Sequence, residues 1–124
     1  MAKSWVLDLP MLPMSMNERE RAHWRVRLKE KNLIERDLAW LVQSQKVPKA
    51  KKIRSVGILL FKGARGKLDD PANRDSRSKS ILDGLVHLGI LIDDSEKWLD
   101  YRGVSQIVGD HAKTTRIVIE ELDE

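Results

Sequence analysis

Four aspartates set the chemistry this chain could carry. Asp69-Asp70 and Asp93-Asp94 bracket a stretch that reads LDDPANRDSRSKSILDGLVHLGILIDD. Between them lie Asn73, Asp75 and Asp83, interleaved with Arg74, Arg77 and Lys79. Carboxylates held close together repel unless a cation sits among them, and Mg²⁺, with its preference for hard oxygen ligands, is the usual one. Such a site suits metal-assisted phosphodiester hydrolysis. The metal lowers the pKa of a bound water and polarises a phosphoryl oxygen. A lysine nearby, here Lys79, neutralises charge that grows on the phosphate. A purely local reading competes: Asp70 and Asn73 are good helix caps, and Asp-Asp-Ser is good turn sequence. Two acidic pairs flanking one helix, with Lys79 between them, favour the metal reading.

The elements that must position these residues follow from composition and periodicity. The chain has 124 residues, 34% charged and 41% hydrophobic, which fits one globular domain spanning 1–124. It has no cysteine, so neither disulfides nor thiolate metal sites are available. No apolar run reaches membrane-spanning length and no signal peptide is visible, which points to a cytoplasmic protein with no membrane partner. The formal charge is +4 and the sequence pI about 9.5. The cations crowd into Arg19–Lys31 and Lys46–Arg54, while the carboxyl terminus is acidic. A basic surface around an acidic pocket suits a nucleic-acid enzyme, although a basic face can also be merely solvated.

Ser4–Leu9 alternates, with Trp5, Leu7 and Leu9 on one side, and predicts a short strand. Pro10 and Pro13 then impose a loop to Met16. From Glu20 to Ser44 the spacing predicts a helix, with Trp24, Leu28, Ile34, Leu38, Leu41 and Val42 on one face. Val26, Leu33 and Trp40, seven apart, form a second stripe that is either a subunit contact or a face under a loop. Ile53–Lys62 predicts a central strand covered on both sides. A second helix is expected from Asn73 to Leu88, buried through Ile81, Leu82, Leu85 and Leu88 and stopped at Gly89. Trp98–Val108 and Thr114–Leu122 predict two strands joined as a hairpin. The order β-α-β-α-β-β predicts a small α/β (α+β) domain: a mixed sheet of about four strands and two main helices.

These residues also resemble a known family. Asp70-Pro71-Ala72-Asn73, Lys79, Leu82-Asp83-Gly84-Leu85, Gly89 and Asp93-Asp94 are similar to the RusA-type Holliday junction resolvases, especially the phage and prophage versions. Leu7-Asp8-Leu9-Pro10 and the Asn17–Trp24 segment add to the likeness. The resemblance implies a RusA-like fold and a Mg²⁺-dependent endonuclease, with Mn²⁺ as a substitute. It implies a homodimer acting on four-way DNA junctions in a bacterial host, with no small-molecule cofactor. It carries the essential carboxylates onto Asp70 and Asp94, with Asp93 alongside, and the essential lysine onto Lys79. The family pattern is often Asp-x-Asp-Asn, and this chain has Ala72 where the second aspartate would stand. Asp69 or Asp75 would then supply the missing carboxylate, or Asn73 a neutral oxygen.

A helix from Asn73 to Leu88 is roughly 20 Å long, so Asp70 and Asp94 are expected near its opposite ends. A two-fold dimer would bring Asp70 of one copy to Asp94 of the other. Arg19, Arg21, Arg25, Lys67, Arg74 and Arg77 are candidate phosphate contacts. His23 beside Trp24 is read as a structural pair rather than a catalytic base. The four tryptophans, Trp5, Trp24, Trp40 and Trp98, are read as core rather than base-stacking platforms.

Overall fold

The computed structural model describes residues 3–121. Two strands at the chain's ends start the sheet: β1 (Lys3–Leu9) and β4 (Thr114–Glu121) pair antiparallel, Lys3 opposite Glu121 and Leu9 opposite Thr115. Leu122, to which the last strand was expected to run, lies outside the described residues. The central strand is β2 (Arg54–Lys62), antiparallel to β4 on one side and parallel to β3 (Leu99–Val108) on the other. The sheet order is β1-β4-β2-β3. The fold is therefore α+β, with an open, mixed, four-stranded sheet.

One expectation fails at β3 and β4, which do not form a hairpin. Their connection passes the end of β2, where the Gly109 N–H donates to the Lys62 carbonyl at 3.2 Å. The reason lies in burial. In β4, Thr115, Ile117 and Ile119 have no exposed surface and the residues between them are at most half-exposed, as suits a strand flanked on both edges. In β3, Tyr101 and Ile107 stay exposed, as an edge strand allows. Gly103, at φ +83°, lies on β3 where its pairing with β2 slips; the left-handed region costs glycine nothing.

Both expected helices are split. α1 (Met16–Arg21) opens with a capping box: Ser15 Oγ accepts from the Glu18 N–H, and the Glu18 carboxylate accepts from the Ser15 N–H. It ends at Ala22. His23 then caps α2 (Trp24–Ser44), its Nδ1 accepting from the Arg25 N–H at 3.1 Å. The second split gives α3 (Pro71–Ser76) and α4 (Lys79–His87). The hydroxyls of Ser76 and Ser78 donate to the carbonyls of Asn73 and Asp75, and the amides of Arg77 and Ser78 bond three residues back. Serine side chains competing for backbone carbonyls tighten the chain into a 3₁₀ turn and interrupt the α-helical ladder.

The core lies between one face of the sheet and α2 and α4. Leu7, Leu9, Val56, Leu60, Ile117 and Ile119 meet Ile34, Leu38, Ile81 and Leu85, all with no exposed surface. Each such side chain contributes about 1.5–3 kcal/mol of transfer free energy. Gly84 lets the two helices touch, since a Cβ there would lie 2.8 Å from Leu38 Cδ1. α4 ends as predicted at Gly89, φ +78°, in a Schellman turn whose Ile90 N–H reaches the Leu85 carbonyl at 2.9 Å. That turn drives Ile90 and Leu91 into the core and sends Asp93 and Asp94 outward.

The first two turns of α2 depart from the expected packing. Every residue from Trp24 to Lys29 is exposed, and only Glu30, Ile34 and Leu38 of this helix are buried. Trp24 and Leu28 therefore lie outside the core, at 56% and 47% exposure, and Trp40 at 66%. No helix among the described residues is long and apolar enough to cross a membrane.

Candidate functional site

The acidic pair at 69–70 is divided by its surroundings. Asp69 is half-buried and surrounded by cations. Its Oδ2 lies 2.7 Å from Arg77 Nε and 3.0 Å from Lys62 Nζ, and its Oδ1 accepts from Arg77 Nη2 at 3.2 Å. Burial pushes the Asp69 carboxyl up, but the hydrogen bonds and positive charge of Arg77 and Lys62 outweigh it and hold it below the usual carboxylate value. The Asp69 backbone is pinned as well: its N–H and C=O exchange hydrogen bonds with the side-chain amide of Gln106 at 3.0 and 2.9 Å. Asp69 is thus a structural anion. With both oxygens engaged by protein cations, Asp69 is the least available of the expected metal ligands.

Arg77 is the other side of the same cluster. Its side chain is buried and bonds Asp69, the Pro13 carbonyl and the Glu18 carboxylate, the last at 2.6 Å. Burial disfavours its charge, yet Asp69 and Glu18 more than compensate and raise its pKa above the ordinary arginine value. A guanidinium so occupied ties the Pro10–Ser15 loop, α1 and the α3–α4 turn together and is not a free phosphate contact. Arg19 likewise bridges Glu30 at 3.2 Å and Ser80 at 2.7 Å. These two arginines were expected to face DNA; neighbouring acids, Asp69 and Glu18 for Arg77 and Glu30 for Arg19, hold them instead.

Asp70 has a different environment. It is exposed and caps α3, accepting from the Asn73 N–H at 3.0 Å and from Asn73 Nδ2 at 3.1 Å. Ala72 beside it is exposed and offers no oxygen. Asp75 is exposed and paired with Arg74 at 3.2 Å. Lys79 begins α4 with its side chain 73% exposed, and its ammonium lies 3.9 Å from Asp83, a loose surface pair that holds it weakly. Arg21, Arg25 and Lys67 are exposed, as phosphate contacts must be.

Asp94 and Asp70 lie towards opposite ends of β3. Asp94 lines an open cleft with Ile53, Glu96, Leu99, Asp100 and Tyr101 at the start of β3. Asp69-Asp70 is fastened beside Gln106, near the end of the same strand. Six residues of strand separate Asp100 from Gln106, about 20 Å at 3.3 Å per residue. Among the described residues of one chain, no three acidic or histidine side chains gather closely enough to hold a metal ion. Within one chain these aspartates are therefore not gathered at one point.

A second cleft, of about 470 Å³, opens between the Pro10–Leu12 loop and the end of β2. Glu18, Lys62, Gly66, Lys67, Arg77 and Lys113 line it. Lys62 and Lys113 were not singled out from sequence. Lys62 ends an apolar strand and gives no local sign that it is buried. The role of Glu18 was legible in the Ser15-x-x-Glu18 capping signature. Neither a scan of protein-family profiles nor a search of curated proteins finds a match for this chain.

Proposed function

We propose that the protein is a structure-specific endodeoxyribonuclease that cuts four-way DNA junctions in a Mg²⁺-dependent reaction, and that it works as a pair of identical chains. One observation carries the reading. Asp8, Glu18, Glu30, Asp69, Asp100 and Glu121 are all in ion pairs, whereas Asp70, Asp93 and Asp94 are in none among the described residues. Glu20, Glu35, Glu96, Asp110 and Glu120 are unpaired too among the described residues, but of these unpaired acids only Asp93 and Asp94 adjoin one another, and they, with Asp70, are the ones the family resemblance marks as essential. Exposed, adjacent carboxylates are open to an external cation, and Mg²⁺ takes such hard oxygen ligands.

The separation of about 20 Å along β3 makes two copies part of the reading. A two-fold arrangement would set Asp70 of one chain against Asp93 and Asp94 of a second. Magnesium held there would supply an activated water and a polarised phosphoryl oxygen. The chain's own contributions are simpler. Lys79, exposed and loosely paired, would reach the scissile phosphate and neutralise its charge. Arg21, Arg25 and Lys67 would hold flanking phosphates, positioning the strands without reading sequence.

The test uses purified protein, a synthetic four-way junction and a linear duplex of the same sequence, each with and without Mg²⁺. Paired, symmetric nicks on the junction alone are expected, and none under chelator. Mixing Asp70→Asn with Asp94→Asn protein should then restore cutting, because each mixed pair regains one intact centre. If mixing restores nothing while wild-type chains cut, the centre lies within one chain. Ala72, which stands where the family often has a second aspartate, favours a second reading, a branched-DNA-binding protein with weak or no catalysis. Tight junction binding with no cutting in either Mg²⁺ or Mn²⁺ would establish that one.

A further inference from the structure

The outer face of α2 presents a tryptophan that the fold does not use. Trp24 is 56% exposed, and Leu28, one turn on, is 47% exposed. With half-buried Leu33 they line an open groove of about 460 Å³ whose remaining walls are Arg25, Lys29, Asn32 and Arg36. It contains three cations, one amide and no carboxylate. Lone exposed apolar residues are ordinary, but a contiguous apolar strip on two otherwise unpacked helical turns is not. Those turns place no residue before Glu30 in the core, so their large side chains remain open to an occupant.

Charge decides what that occupant is. Residues 19–31 carry six cations (Arg19, Arg21, Arg25, Arg27, Lys29, Lys31) against two acids (Glu20, Glu30), a net of +4 that equals the net charge of the whole chain. A second copy docked face to face would set Arg25, Lys29 and Arg36 against their own likeness, which disfavours self-association here. A polyanion with flat apolar faces fits instead, and unpaired DNA is such a molecule: phosphates for the cations, bases for the ring. The ring is also held ready. The Arg25 guanidinium lies 5.4 Å from its centroid, and the His23 ring, whose nitrogen caps the helix, 5.6 Å away.

Position supports the same occupant. A cleft lined by Arg19, Arg27, Glu30, Lys31, Ser80 and Asp83 runs between α2 and α4. Ser80 and Asp83 lie on the first turns of α4, beside Lys79. By helical spacing Trp24 and Leu28 are on the outer rim of that cleft, next to Lys31 and Glu35. We infer that Trp24 stacks on an unpaired base, with Arg25, Lys29 and Arg36 on neighbouring phosphates, and so gives the chain a preference for unstacked over continuous duplex DNA. The inference rests on the nuclease reading for its choice of DNA as partner, but not on catalysis.

The test is binding without metal, in chelator, so cutting plays no part. The probes are a labelled single strand of about 20 nucleotides, longer than the 4–16 that one small site occupies, and the same sequence as duplex. Wild-type protein is expected to bind the single strand more tightly, with quenching of tryptophan fluorescence. Trp24→Ala should weaken single-strand binding about 5- to 100-fold, affect the duplex much less, and lose the quenching. Trp24→Phe, which keeps a ring, should recover most of the affinity. Arg25→Ala should lower the slope of affinity against salt by about one phosphate contact. Trp40→Ala is the control: that ring is exposed beside Asp8 and Asp37 and should not matter. An unchanged melting temperature shows that each variant folds.

Equal weakening on duplex and single strand, or affinity within two-fold of wild type for Trp24→Ala, overturns the inference and leaves the nuclease reading intact. Wild-type failure to bind either probe also overturns it. So does quenching by an acidic helical peptide and not by DNA, or a Trp24-dependent dimer with unaltered DNA binding. Trp24-dependent binding together with an uncut junction would support the inference while the nuclease reading fell.

Discussion

The two acidic pairs of this chain have the same composition, yet Asp69 meets a different fate from Asp70, Asp93 and Asp94. Asp69 meets Arg77 and Lys62 in a half-buried cluster that also draws in Glu18 and the Pro13 carbonyl. Asp93 and Asp94 follow a Schellman turn into solvent and meet no cation among the described residues. Asp70, bonded to Asp69, belongs with the second group, because it is exposed and only caps a helix. Where a carboxylate is desolvated, the fold supplies a partner, since an unpaired buried charge costs several kcal/mol. Where it stays in water, no partner is needed, and the negative charge remains available to an external cation. Burial, not residue type, thus sets Asp69 apart from Asp70, Asp93 and Asp94.

That contrast can be broken by mutation, and the largest effect is expected at Arg77. Arg77→Met leaves Asp69, Glu18 and the Pro13 carbonyl short of their donor and should destabilise the protein by about 3–5 kcal/mol in urea unfolding. A loss below about 1 kcal/mol would mean that the cluster is not a structural hub.

Asp69→Asn should cost somewhat less, about 2 kcal/mol, because Lys62 and Arg77 keep other partners. Its cost carries a pH signature. The folded carboxyl is held below its ordinary value, so its contribution is fully present above the unfolded pKa of about 4 and is lost as pH falls through the lower folded value. Wild-type and Asp69→Asn stabilities should therefore converge in acid and diverge above about pH 5. Parallel curves across that range would contradict the ion-pair account.

Asp94→Asn and Asp93→Asn should change stability by no more than about 0.5 kcal/mol while abolishing any Mg²⁺-dependent rise in melting temperature. A large stability loss from either would place these acids with Asp69. The smallest effect is expected at Lys79 and Asp83, a surface pair 3.9 Å apart. Lys79→Ala should leave stability within about 0.5 kcal/mol, measured by thermal melt, and reduce only junction cutting.

Much of the fold was legible in the sequence. The alternation of Trp5, Leu7 and Leu9, the apolar run of β2 and the Gly89 stop are local patterns, and the structure keeps each. The hairpin was misread because strand partners depend on which strand the core buries most completely, a property of the assembled sheet. The helix breaks were missed although their signals were present: a capping box at Ser15 and two serines around Arg77. Trp24 and Leu28 carried helical spacing, but spacing cannot say where a long helix runs off the edge of its sheet.

The sequence by itself determined the alternation of strands and helices, the placing of acids at 69–70 and 93–94, and the basic amino-terminal half of the long helix. It did so because periodicity, caps and charge runs are written in neighbouring residues. Only the tertiary structure decided which of those charges are spent. Arg77 and Lys62 reach Asp69 across 8 and 7 residues of chain, and Arg19 reaches Ser80 across 61. Pairing at such distances depends on which side chains lose their water together, and that is set by packing rather than by sequence order.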